Sequence, residues 1–144
     1  NTKIRSWNKF ENHFFYFQNG KYFKDSDCKK CVSERICSEF MWSNAEWCTG
    51  LHDKNGKEIY EGDIVKWGMH NGSEEHWHRY AVVEINPDIQ FRILFYILSE
   101  TGERKLTDND VLHYGRFAYK DTENHLEIIG NIYENPELLS GGEK

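Results

Sequence analysis

Short apolar runs separated by polar turns set the pattern of this chain. Runs rich in aromatic and β-branched residues read as strands. "KIRSW" (residues 3–7) and "HFFYF" (13–17) flank the polar "NKFEN", so they predict a hairpin. "QNG" then turns the chain into a short strand over 21–24. Further on, "EIY" (58–60), "DIVKW" (63–67), "RYAVVEI" (79–85), "QFRILFYIL" (90–98) and "HLEIIGNIY" (125–133) read as strands. The run 90–98 is the longest and is expected to be central. Gly130 inside the last run marks a bulge. "SETGER" (99–104) turns the chain, and the stretch 106–124 reads mostly as loop, with at most a strand at its end.

One segment departs from this pattern. In "DSDCKKCVSERICSEFMW", Cys28, Cys31, Val32, Ile36 and Phe40 recur at helical spacing behind Asp27, an N-cap residue type. This spacing predicts a helix over about 28–41. Many short strands with regular turn signals and one helix predict a mainly β protein: a small, partly open β-barrel with an SH3-like strand-turn pattern and a helical insertion near residues 28–41. No repeat or internal linker divides it. One domain over residues 1–139 is expected, with a flexible tail over 140–144. No apolar run approaches the roughly 20 residues of a membrane span, and no leader pattern opens the chain, so a bacterial cytoplasmic location without membrane contact is expected.

Charge and composition narrow the functional classes. Eighteen basic and 24 acidic residues leave a net charge of −6, and the cations are scattered, with Lys29/Lys30 and Arg104/Lys105 the tightest pairs. A surface for duplex DNA is not expected from this balance. Aromatic residues make up 15% of the chain, more than one small core absorbs when they alternate to both faces of a strand. The surplus favours a partner surface, and the densest run supplies its candidates: Trp7, Phe10, Phe15 and Phe17. Such rings anchor protein interfaces or stack on single-stranded bases.

The four cysteines, Cys28, Cys31, Cys37 and Cys48, are enough for a closed structural zinc site. Only the first pair has the C-x-x-C spacing, so helix-face packing as small apolar residues is the plainer reading. His70, His76 and His78 share one polar loop, and His76 and His78 point to one side of an extended segment. They make a candidate metal or small-ligand site that lacks a fixed third ligand. No cofactor is otherwise implied, and no established catalytic motif appears.

The stretch "TGLHDKNGKEIYEGDIVKWG" (49–68) concentrates the acids Asp53, Glu58, Glu61 and Asp63. A calcium loop starting at Asp53 would need Gly at its sixth position and Glu at its twelfth; this chain has Glu58 and Ile64 there. Asn55-Gly56 and Gly62-Asp63 are instead turn residues that set strand register. Together with "LEIIGNIYENPELL" (126–139) and the aromatic "KIRSWNK", this stretch resembles the signature blocks of the YopX-like proteins of phages and prophages. The resemblance implies a mostly β fold and a phage or prophage origin, and it brings no catalytic residue. The function expected is that of an accessory protein, non-enzymatic, binding a host protein, a host-defence factor or a second copy of itself. Single-stranded nucleic-acid binding through ring-bearing strands is the alternative, followed by a small enzyme or ligand site at the histidine loop.

Overall fold

The structure is a computed structural model that describes residues 3–29, 40–68, 77–98, 101–107, 110–117 and 120–140. The chain divides into two compact units, residues 1–48 and 49–144. The described strands form two antiparallel sheets, and no closed barrel is found among them. Among the described residues no helix is long and apolar enough to cross a membrane.

The first unit is built on a hairpin of β1 (Lys3–Asn8) and β2 (His13–Gln18), followed by β3 (Lys21–Phe23). The Asn8 side chain accepts the N–H groups of Phe10 and Glu11 and so shapes the turn between β1 and β2. β4 (Glu46–His52) begins in this unit and lies beside β1, with Ile4 opposite Trp47 and Arg5 opposite Glu46. The order across the sheet is β3-β2-β1-β4. β1 is buried along its whole length. On one face Ile4, Phe15 and Phe40 form the core. On the other, Trp7 packs edge-on against Phe14, and the Arg5 guanidinium lies 4.1 Å from the Phe14 ring centre.

The helix expected over 28–41 falls mainly on residues 30–39, outside the described residues. Its described ends are not helical. Cys28 is left-handed, with φ of 52°, and its N–H closes a turn on the Asp25 carbonyl. The Asp27 side chain accepts the N–H of Lys29. Met41 is extended, and Trp42–Asn44 forms one 3-10 turn.

In the second unit, the end of β4 and β5 (Glu58–Tyr60) flank the Asp53–Gly56 turn. β6 (Asp63–Gly68), β7 (Trp77–Ile85) and β8 (Ile89–Leu98) follow as a meander. β8 is the longest strand and also carries β9 (Arg104–Leu106) and β10 (Val111–His113) along its other side. A one-turn helix, α1 (Thr122–His125), leads into β11 (Glu127–Asn131), which pairs with β6. The sheet order is β10-β8-β7-β6-β11, with β9 also on β8. Its register shifts between Ile128 and Gly130 and again at Tyr80/Ala81, where β8 carries one extra residue.

Alternation along these strands gives the sheet two apolar faces. Val65, Trp67, Ala81, Val83, Phe91 and Ile93 pack with Ile59, Phe117 and Leu126 on one side. Ile64, Val82, Leu94 and Phe95 lie on the other, covered by Ile129, Ile132 and Leu138.

Candidate functional site

Two acids of the stretch 53–63, Asp53 and Asp63, accept backbone N–H groups. Asp53 is almost fully buried. Its Oδ1 accepts the N–H groups of Asn55 and Lys57, both at 2.9 Å, and its Oδ2 accepts Ile128 N–H at 3.0 Å. Asp63 is buried and accepts Tyr60 N–H at 2.7 Å. Gly56 and Gly62 take left-handed φ values of 82° and 89°, which an L side chain resists, so Gly at these two turns is a backbone requirement. The second block is built the same way. Asn131 Oδ1 accepts the N–H groups of Tyr133 and Glu134, and Asn135 accepts Asn131 N–H across the bulge at Gly130.

The two blocks are bonded to each other. Lys54 N–H donates to Leu126 carbonyl and Ile132 N–H donates to Gly62 carbonyl, while Thr122, ahead of the second block, donates from Oγ1 to His52 carbonyl. These carboxylates and amides hold turns. Among the described residues no group of three His, Cys, Asp or Glu side chains is arranged to hold a metal ion. Cys28 and Cys48 are both half-buried, and Cys31 and Cys37 lie outside the described residues. His70 and His76 also lie outside them; His78 sits on β7, opposite Ile97.

The rings of the first unit separate into interior and surface. Phe15 is fully buried and Trp7 nearly so. Phe17 is half-buried, and Phe10, at the turn between β1 and β2, is 80% exposed. Residues directly opposite in an antiparallel pair share a face. The register therefore sets Trp47, Ile4, Phe17 and Tyr22 in one row across β4, β1, β2 and β3. The neighbouring rows on that face hold Ser6 with Phe15, and Asn8 with His13. No paired position on this face is Lys, Arg, Asp or Glu.

The segment after the undescribed stretch folds onto the same face. Ser6 Oγ donates to Met41 carbonyl at 2.7 Å and accepts Met41 N–H at 2.9 Å. That places Phe40 and Trp42 on the row: Phe40 lies 5.6 Å from Tyr22, Trp42 5.1 Å from Phe17, and the two touch each other at 4.8 Å between ring centres. Trp42 remains 50% exposed and Trp47 47% exposed. The result is an apolar, ring-rich surface backed by a packed core. Trp42 and Trp47 are absent from the residues expected at a partner surface, because only the long-range register of β4 and the Ser6 bonds bring them to this face.

Comparison with known proteins agrees with the signature blocks. No curated protein matches the chain. The crystal structure of protein EF1440 from Enterococcus faecalis is similar, at 22% identity over 96% of this chain and 98% of that one, with a TM-score of 0.44. The family model described as YopX protein matches residues 3–140, nearly the whole length. This chain belongs to the YopX family.

Proposed function

We propose that this chain is a phage- or prophage-encoded accessory protein that acts in the bacterial cytoplasm by binding another protein, with no catalytic step of its own. The partner is a host protein, a host-defence factor or a second copy of the chain. The observation that carries this reading is the face of the first unit that displays Trp42 and Trp47. Protein interfaces are enriched in exposed Trp and Tyr at their centres and depleted in charge there. The row Trp47, Ile4, Phe17, Tyr22 has that composition. Phe15 and Phe40, packed among these rings on the same face, hold them in place and lower the entropy cost of presenting them.

The test compares wild type with Trp42→Ser and Trp47→Ser. Light scattering over a range of concentrations reads self-association, and capture from nuclease-treated host lysate reads other partners. Wild type is expected to self-associate or retain one stoichiometric protein, and the variants to lose it while keeping their melting transition. A monomeric wild type whose captured proteins match those of both variants would overturn the proposal.

A further inference from the structure

A second ring-bearing surface lies at the outer end of the second unit's sheet, and its chemistry differs. Arg79 on β7 is opposite Tyr96 on β8, and Tyr96 is opposite Lys105 on β9, so the three share a face. Trp77, two residues before Arg79, joins them. The Trp77 and Tyr96 rings meet at 5.8 Å in an edge-on pair. The Arg79 guanidinium carbon lies 5.5 Å from the Tyr96 ring centre, and Lys105 Nζ lies 5.7 Å from that of Trp77. Cation, ring, ring and cation thus form one unbroken ladder over three strands. Trp77, Arg79 and Tyr96 are half-exposed, and Lys105 is exposed. On the reverse face Arg104 covers Phe95 at 4.8 Å.

We propose that this ladder binds single-stranded nucleic acid. Unpaired bases offer flat π surfaces and phosphates offer negative charge; rings interleaved with cations meet both at once. A guanidinium placed over a tyrosine ring offers a further stacking surface for a base. Lys105, held over Trp77, supplies a phosphate contact at the next step along the strand. The charge balance here is complementary to a phosphate backbone. In the described residues 77–80, 95–98 and 101–107, the ladder's own face carries the cations Arg79 and Lys105, while Arg104 lies on the reverse face and Glu103 is the one carboxylate in these segments. Glu74, Glu75 and Glu100 neighbour these segments in sequence and lie outside the described residues. Among the described residues, the paired positions on the Trp42 and Trp47 face include no Lys or Arg, so the two surfaces suit different partners. Duplex DNA, whose bases are already stacked inside, gains nothing from the ladder, and the overall charge of −6 opposes a long basic track.

Long cationic side chains also lie over rings merely to cover them, and the experiment separates the two roles. Fluorescence anisotropy of a labelled oligothymidylate of about twelve nucleotides is followed at low salt and over a salt series. Neutralising about two phosphates predicts a slope of about −1.4 in log affinity against log salt. Trp77→Leu is expected to weaken binding roughly tenfold or more, as loss of one stacked base does. Lys105→Gln, at an exposed position, is expected to reduce the slope by about 0.7 with the melting transition unchanged. Absence of any anisotropy change at low salt would overturn the proposal. Binding that persists unaltered in both variants would overturn it too, because the ladder would then not be the site.

Discussion

The Asp53 carboxylate accepts the backbone N–H of Ile128 at 3.0 Å across 75 positions of sequence. Its other oxygen closes the Asn55-Gly56 turn. One buried anion therefore serves three donors on two distant segments. Asp53→Ala strands all three and is expected to cost about 3 kcal/mol, since bonds to a charged acceptor exceed neutral ones and unmet buried donors carry a further penalty. Asp53→Asn keeps the shape but turns an NH2 group toward a donor, and should cost roughly 2 kcal/mol. Urea unfolding of the two variants measures both.

Arg5 and Glu46 form a buried ion pair at 2.9 Å, with both side chains less than a tenth exposed. Removing one partner leaves an uncompensated buried charge, so Arg5→Met is expected to lose about 3–5 kcal/mol. The double variant Arg5→Met/Glu46→Leu should recover much of that loss, because a packed apolar pair needs no charge compensation. A double-mutant cycle in urea gives the coupling. A double variant as unstable as the single one would show that the pair is fixed by its other contacts.

A Cβ at Gly130 would overlap the Asn135 carboxamide, the group that accepts Asn131 N–H at 3.2 Å. Gly130→Ala is expected to displace that carboxamide and cost about 1–3 kcal/mol. Hydrogen exchange should show the Asn131 amide losing protection before the amides of β7 and β8. Equal loss across the whole unit would point to a different weak point.

Phe10 and Phe15 stand five positions apart, yet one is 80% exposed and the other fully buried. Phe15→Ala is expected to cost about 3–5 kcal/mol. Phe10→Ala should stay within about 0.5 kcal/mol. Thermal melts of the two variants check the contrast.

Local pattern announced those elements whose own side chains decide them. "HFFYF", "DIVKW" and "QFRILFYIL" carry dense apolar runs between turn residues, and each is a strand. β4 gives no such signal: "EWCTGLH" has no sustained alternation and a left-handed Gly50. It is a strand because β1 and β5 offer it hydrogen-bonding edges. β9 and β10 are three-residue strands held by the long edge of β8. The helix expected over 28–41 lies mainly outside the described residues, and Cys28, at its expected start, is left-handed. The ring faces were legible as a surplus and not as places. Trp42 reaches its site through Ser6, and Trp77 meets Tyr96 only after β7 and β8 pair.

β11 pairs with β6, although β7, β8, β9 and β10 all lie between them in the chain. A ribosome therefore delivers β6 well before the strand that completes its outer edge. During that interval Ile64 and Val65 have their β7 neighbours but lack those on β11, and Asp53 waits for Ile128. Closing so long a loop is entropically slow. The second unit thus reaches its native state only once residues 126–132 have left the exit tunnel, and a stalled nascent chain shorter than that would expose the β6 edge to chaperones and proteases.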